Sequence, residues 1–289
     1  MSLVEKPGNG QDPLGIGLNS SGQIWLDRRL ESAFSALGWD QVDHVMQSEE
    51  GHCMRVLDDR ENWWIELSPE QASTPKRFYL KKHHVRASRF RSQTVETAAS
   101  VEARAVKRLN DDGIPTMRVA AYGEQLHQDG RLHSFLLTED LEGYRPLDDF
   151  LRERFRVRRL FTSTRRDPDL ATLLEQVADV AARFHRAGYN HRDFYCCHFF
   201  IKETDPGQFD VRLIDLQRVQ YRRRFRHRWI VKDLAQLAYS APRDRIKCTQ
   251  KLAFLRHYLG IKKLRPGDKR LLREVLAKQH KMEQRLGIE

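Results

Sequence analysis

The stretch from Tyr189 to Leu216 constrains this chain more than any other. It reads Y-N-H-R-D-F-Y-C-C-H-F-F-I-K, then a loop, then V-R-L-I-D-L. Two short apolar runs, His198 to Ile201 and Val211 to Leu216, flank Asp205-Pro206-Gly207. That tripeptide is a strong turn signal, so the expected element is a hairpin. Asp193 stands just before it and Asp215 at the end of its second strand. A hairpin holds two such carboxylates close together, facing one cleft. The pairing suits phosphoryl transfer, where one aspartate orients and deprotonates a hydroxyl and the other holds magnesium on the phosphates.

The 289 residues are enough to bury a real core, as one large or two small domains. A formal charge of +11 favours an anionic partner: nucleic acid, an acidic membrane surface or phosphorylated substrates. No apolar run approaches the roughly 20 residues that span a bilayer. The N-terminus lacks a basic-then-apolar signal pattern, so secretion is not expected. The four cysteines, Cys53, Cys196, Cys197 and Cys248, form neither C-x-x-C nor a disulfide framework. They read as reduced thiols of a cytosolic protein. Zinc at Cys196-Cys197-His198 is disfavoured, because adjacent cysteines do not easily ligate one ion and no second ligand pair is evident.

Residues 1–20 are rich in Gly, Pro, Asn and Ser and are expected to be disordered. A helix is expected over Ile24 to Leu37, from Leu26, Leu30, Phe34 and Leu37 at helical spacing. Three strands follow, at Cys53 to Leu57, Trp63 to Leu67 and Arg77 to Lys81. They are separated by Asp58 to Asn62 and by Ser68 to Lys76. Next come a helix from Val95 to Leu109 and two strands, Met117 to Tyr122 and His133 to Thr138. Beyond the connector Glu139 to Gly143 the pattern is helical: Leu147 to Leu160, Asp167-Pro168 through Phe184, Val231 to Tyr239, Asp244 to Tyr258 and Asp268 to Gln284. The division is a β-rich lobe over 21–138 and a helical lobe over 139–289. It is an α+β, bilobal, protein-kinase-like plan, with a small antiparallel lobe and a larger helical one.

His191-Arg192-Asp193, with His198 five positions after Asp193, matches the kinase catalytic loop H-R-D-x-x-x-x-N except that His replaces Asn. Asp193 is the candidate catalytic residue. Asp215 is the candidate magnesium ligand, with D-L-Q in place of D-F-G. His198 is a second candidate ligand or a hydrogen-bonding partner of Asp193, since magnesium prefers oxygen. Lys81 ends the third strand and would project onto nucleotide phosphates, held by Glu102, with Glu96 as a competitor. Lys82 should point the other way. Glu139 and Leu141 in the connector are further candidate nucleotide contacts. Ser48 to His52 holds one glycine and makes a poor phosphate loop. Asp233, read at a buried helix start, is placed to accept hydrogen bonds from the catalytic-loop backbone, with His191 and Arg192 as further structural support; the alternative for Asp233 is a helix-end charge.

The substrate side is marked by what is missing. Two residues after Asp193, where protein serine/threonine kinases usually carry lysine, stands Tyr195. Four after it, where tyrosine kinases usually carry arginine, stands Cys197. Between Asp215 and Lys232 the only phosphorylatable hydroxyl is Tyr221, so activation-loop control is not expected. That segment instead carries Arg218, Arg222, Arg223, Arg224, Arg226 and Arg228 with Phe225 and Trp229 interleaved. Arg218, Arg222 and Arg224 are the candidate contacts to an anionic acceptor, because guanidinium forks suit phosphate and carboxylate. The bland alternative is a solvated basic loop.

These stretches together resemble the lipopolysaccharide core heptose kinases of the Kdo/WaaP kinase family. The resemblance rests on N-H-R-D-F-Y-C-C-H-F, L-I-D-L-Q-R-V-Q and R-W-I-V-K-D-L-A-Q-L-A-Y-S. It extends to F-Y-L-K-K-H-H, E-A-R-A-V-K-R-L-N-D-D-G-I-P-T-M and F-L-L-T-E-D-L, over roughly residues 77 to 240. It implies a protein-kinase-like fold and ATP- and magnesium-dependent phosphorylation of a heptose or Kdo hydroxyl of the inner core. It also implies a lipopolysaccharide glycolipid as partner, on the inner face of the cytoplasmic membrane. An anionic membrane surface is a further expected partner, and nucleic acid is not expected. Two alternatives stay open: a protein kinase, and an ATP-binding pseudokinase scaffold at the membrane, the latter motivated by the weak phosphate loop.

Overall fold

A computed structural model describes residues 22–67, 77–86, 97–126, 131–155 and 167–285. The expectations for residues 1–20, Ser68 to Lys76, Val95, Glu96 and the far end of the Leu147 to Leu160 helix lie outside the described residues. The chain divides into two compact units. One runs to Arg108 and resumes over Met117–Glu142; the other comprises Leu109–Thr116 and Gly143–Glu289.

The first unit is built on a six-stranded antiparallel sheet in the order β1-β5-β6-β4-β3-β2. The strands are β1 Gln23–Leu26, β2 His52–Leu57, β3 Arg60–Glu66, β4 Arg77–Arg86, β5 Val119–Leu126 and β6 Arg131–Glu139. Alternation along the strands sorts the faces. Phe78 and Leu80 of β4, with Ile65, Phe135 and Leu137, pack in one core with Phe34 of helix α1 (Glu31–Ala36) and Val42, Val45 and Met46 of α2 (Val42–Gln47). Leu136 and Tyr122, which point the other way, pack with Ala99 and Ala103 of α3 (Ala98–Asp111).

Two expectations are corrected here. Residues Ile24 to Leu26, read as the start of a helix, belong to the edge strand β1, which pairs with β5 from Gln23↔Glu124 to Leu26↔Ala121. Helical spacing over four residues is too short to compete with a free sheet edge. Helix α2 was not expected at all. The turn between β2 and β3 is Asp58-Asp59, so the Ser48 to His52 segment leads from α2 into β2 and does not join two strands.

The second unit holds helices α4 Leu147–Arg154, α5 Pro168–Arg186, α6 His227–Ser240, α7 Cys248–Leu259 and α8 Pro266–Arg285. Helix α5 starts where its sequence says. Asp167 caps it through the N–H groups of Asp169 and Leu170, Pro168 opens it, and its apolar face is buried from Leu170 to Phe184. Its small strands are β7 Arg145–Pro146, β8 Tyr189–Asn190, β9 Phe199–Asp205, β10 Gln208–Leu213 and β11 Gln220–Tyr221, paired as β10-β9-β7 and β11-β8. The β9–β10 hairpin turns at Gly207, whose φ of 75° only glycine adopts freely.

Three details of this unit differ from expectation. Asp215 lies two residues beyond β10, in a left-handed conformation at the start of a single 3-10 turn over Leu216–Arg218. Helix α6 begins at His227, so Asp233 is in mid-helix. Helix α7 begins at Cys248 and leaves Asp244 in the preceding turn. No described helix is long and apolar enough to cross a membrane.

Candidate active site

In the first unit, alternation sends the two neighbouring lysines of β4 to opposite faces. Lys81 reaches α3, where its Nζ donates to Glu102 at 2.8 and 2.9 Å. Glu102 is 1% exposed and the Lys81 side chain 26%, so the carboxylate is anchored and the ammonium keeps access to a ligand. Lys82 is 1% exposed. Its Nζ donates to the Ser48 carbonyl at the end of α2 and lies 4.6 Å from the Trp63 ring centroid. Burial pulls its pKa down. Lys82 is thus a core cation, occupied by a helix C-terminus and an aromatic face.

Glu139 closes β6. Its carboxylate accepts Arg29 Nη2 at 2.6 Å and its N–H donates to the Arg118 carbonyl. Leu141 is half-buried, with its N–H directed to the Asp140 carboxyl. The Asp58-Asp59 turn has two carboxylates and no glycine, so it offers no Gly-rich amide cradle for phosphates.

The second unit carries the loop from Asn190 to His198. Tyr189 and Asn190 pair with Gln220 and Tyr221. This close pairing requires Gly188 (φ 108°), since a Cβ there would lie 2.6 Å from the Tyr221 ring. Arg192 follows with φ 75°, a costly conformation for a non-glycine residue that persists only when its surroundings over-determine it. They do. Asp233, fully buried, accepts the His191 N–H at 2.8 Å and the Arg192 N–H at 3.0 Å. Three residues further along α6, Gln236 Oε1 accepts the Phe194 N–H at 3.1 Å, and Ser240 Oγ accepts the Cys196 N–H at 2.8 Å. His185 of α5 adds contacts to Asp233 at 3.4 Å and to the Tyr258 hydroxyl at 2.9 Å. Gln236, Ser240, His185 and Tyr258 were missed by sequence reasoning. The available signal was polar side chains at 233, 236 and 240, at the spacing of one helix face.

His191 is fully buried, and burial lowers its pKa. It is therefore neutral and donates from Nε2 to the Ile214 carbonyl at 3.0 Å, tying the loop to the residue before Asp215. His198 completes the tie. Its Nδ1 donates to the Asp193 carbonyl at 2.7 Å and its Nε2 lies 3.4 Å from Asp215 Oδ2. Burial works against its charge, but Cys197, the Asp193 carbonyl and the Asp215 carboxylate outweigh it and push the pKa up to about 9.

The residues at Asp215 fit a divalent cation. Asp215 Oδ1 is a buried carboxylate oxygen with no hydrogen-bond partner, which is costly unless a cation completes it. The Nδ1–H of His198 is committed to a carbonyl, so a deprotonated Nε2 would present its lone pair on the Asp215 side. Among the described residues no group of three or more His, Cys, Asp or Glu side chains gathers to hold a metal. An ion at Asp215 would draw its remaining ligands from phosphate and water, as magnesium commonly does.

The arginine run does not behave as one patch. Arg218 donates from Nη1 to Asp193 Oδ1 at 2.8 Å and pairs with its Oδ2 at 2.8 Å. Arg222 donates to Gln220 Oε1 at 2.8 Å and lies over the Trp229 ring, as do Arg192 and Arg228. Arg226 is turned inward onto the His185 and Tyr189 carbonyls. Arg223 and Arg224 are exposed, and Phe225 between Arg224 and Arg226 is 89% exposed.

Comparison with known proteins agrees with this geometry. The model of the lipopolysaccharide kinase (Kdo/WaaP) family matches residues 44–258. The chain is 38% identical over 184 residues to the lipopolysaccharide core heptose(I) kinase WaaP of Pseudomonas aeruginosa PAO1. That match spans 62% of each chain, less than two thirds of the Pseudomonas protein. It is 28% identical over 252 residues to the enzyme of the same name from Escherichia coli K12, covering 81% of this chain and 88% of that one. A solved structure described as WaaP in complex with acyl carrier protein superposes with a TM-score of 0.67 at 28% identity, over 91% of this chain and 99% of the other.

Proposed function

This chain belongs to the lipopolysaccharide kinase (Kdo/WaaP) family, and from that premise we propose that it transfers the γ-phosphoryl group of ATP to a heptose hydroxyl of the lipopolysaccharide inner core. The observation that carries the reading is the second-unit loop. Asp193 is held by an over-determined backbone, and Asp215 keeps a buried, unpartnered oxygen for a cation. Asp193 would accept the proton of the attacking hydroxyl. Magnesium, held by Asp215 with His198, would neutralise charge on the phosphates. Lys81, anchored by Glu102, would contact the nucleotide phosphates, and backbone groups at Glu139 and Leu141 its base. Residues 21–138 would thus serve nucleotide binding, and 139–289 catalysis.

The exposed Arg224 and the basic surface of the chain would meet the anionic glycolipid at the inner membrane face. Arg222, held by Gln220 and Trp229, would shape that surface. The solved WaaP assembles with acyl carrier protein, and we extend that partner to this chain; co-purification of the two would test it. The main test is direct. Purified protein with ATP, magnesium and deacylated inner-core saccharide should release ADP and add one phosphate to heptose, and Asp193→Ala should abolish both. Turnover that persists in the variant would remove the assignment, and phosphate found on Kdo would redirect it.

A further inference from the structure

The four residues after Asp193 bring no cation to the reaction, and the next, His198, is turned toward Asp215. Residues 194–197 are Phe, Tyr, Cys and Cys, and His198 is committed through Nδ1 to the Asp193 carbonyl. Phosphoryl transfer spreads negative charge over the equatorial oxygens of the moving group, so catalysis depends on cations aimed there. The structure supplies one from another element. Arg218 is the last residue of the 3-10 turn that Asp215 begins, and Leu216, fully buried, pins that turn. The turn carries the guanidinium back onto Asp193, 25 residues earlier in the chain. Only Nη1 of Arg218 is engaged among the described residues. The rest of the fork keeps its donors, and the side chain is 49% exposed. Lys232, another cation near Asp193, has its Nζ turned to the Arg192 carbonyl. Arg218, with a planar fork of donors already on Asp193, is therefore placed to serve two anions at once.

We propose that Arg218 is a catalytic residue: its guanidinium bridges the Asp193 carboxylate and the phosphoryl group in flight, supplying the cation that the four residues after Asp193 lack. The proposal rests on the phosphotransferase reading above and gives Arg218 a role beyond acceptor binding. In the step it serves, the acceptor hydroxyl oxygen bonds to the γ-phosphorus and the bond from that phosphorus to the β,γ-bridging oxygen breaks. The hydroxyl proton passes to an Asp193 oxygen, and the bridging electron pair leaves with ADP. Arg218 neutralises the equatorial oxygens throughout and holds Asp193 in line with the hydroxyl.

The test compares the full-length protein with Arg218→Gln and Arg218→Lys. In steady-state assays with inner-core saccharide, Arg218→Gln should lower kcat by about 1,000-fold, with KM for ATP and for acceptor within about threefold. Arg218→Lys should recover part of the loss, and added guanidinium should raise turnover of an Arg218→Ala variant. A second readout needs no acceptor. Aluminium fluoride should tighten ADP binding to the wild type, and Arg218→Gln should lose that tightening while binding ADP alone as before. Three results would overturn the role: a rise in acceptor KM with kcat unchanged, faster turnover in Arg218→Gln, or equal tightening by aluminium fluoride in both proteins. A wild-type protein that neither binds ADP nor turns over ATP would instead remove the phosphotransferase reading, and this role with it.

Discussion

The candidate residues of the two units are held in different ways. Lys81 and Glu102 sit on a regular strand and a regular helix, and their pairing follows from alternation and helical spacing. Asp193, His198 and Asp215 sit on irregular backbone, with Arg192 and Asp215 at φ 75° and 57°, and the loop around Asp193 is held by side chains some forty residues away on α6. A site on regular elements needs few supports. A site on a strained loop needs a buried polar scaffold, and that scaffold is where it is most fragile.

Asp233→Ala should break this contrast hardest. It strands two buried amides, each a loss of about 1–3 kcal/mol. Urea unfolding should show a loss of about 3 kcal/mol, and phosphotransfer should fall with it because Arg192 loses its restraint. If activity survives, the loop does not depend on α6.

Lys81→Met should lower kcat/KM for ATP by about 100-fold and also destabilise the sheet unit, because Glu102 stays buried without its cation. Adding Glu102→Gln should recover the stability and leave the activity low. Recovery of activity in the double variant would show that Lys81 acts only as the partner of Glu102.

An effect confined to stability concerns pH. Burial, helped by Lys81 and Arg60, lowers the pKa of His83 from 6.5 to about 4. Between those values the unfolded chain binds the extra proton, so stability is full above pH 6.5 and falls as pH drops toward 4. The loss from this group should be about 2 kcal/mol, and His83→Gln should flatten that part of the unfolding profile.

The smallest effect should come from the lysine next door. Lys82→Met removes a desolvated charge from a packed site, so stability should change by less than about 1 kcal/mol or rise. A loss as large as that of Lys81→Met would mean that its bond to the Ser48 carbonyl outweighs its desolvation.

Where the chemistry rides on periodic elements, residue spacing was enough to find it. Helix α5 could be read from its Asp167 cap to its final turn, the β9–β10 hairpin from Asp205-Pro206-Gly207, and the opposite directions of Lys81 and Lys82 from alternation. The H-R-D spacing to His198 marked the loop. Spacing rules act over a few residues, and beyond that reach they failed. Leu26 and Leu30 fitted a helical stripe, yet the free edge of β5 took Gln23–Leu26 as a strand. Helix α2 was missed, although the turn after β2 was read within Asp58 to Asn62 and is Asp58-Asp59.

The amino-acid sequence by itself determined which carboxylates and cations are candidates for phosphoryl transfer, because those residues are spelled out in short motifs on local structure. The tertiary structure alone decided how they are held and paired. It set Asp215 in a left-handed turn with one oxygen unpartnered, hung the loop from Asp233, Gln236 and Ser240, and laid Arg218 on Asp193. Each of these depends on elements that meet only after packing, and no pattern of neighbouring residues encodes a contact across 25 or 42 positions.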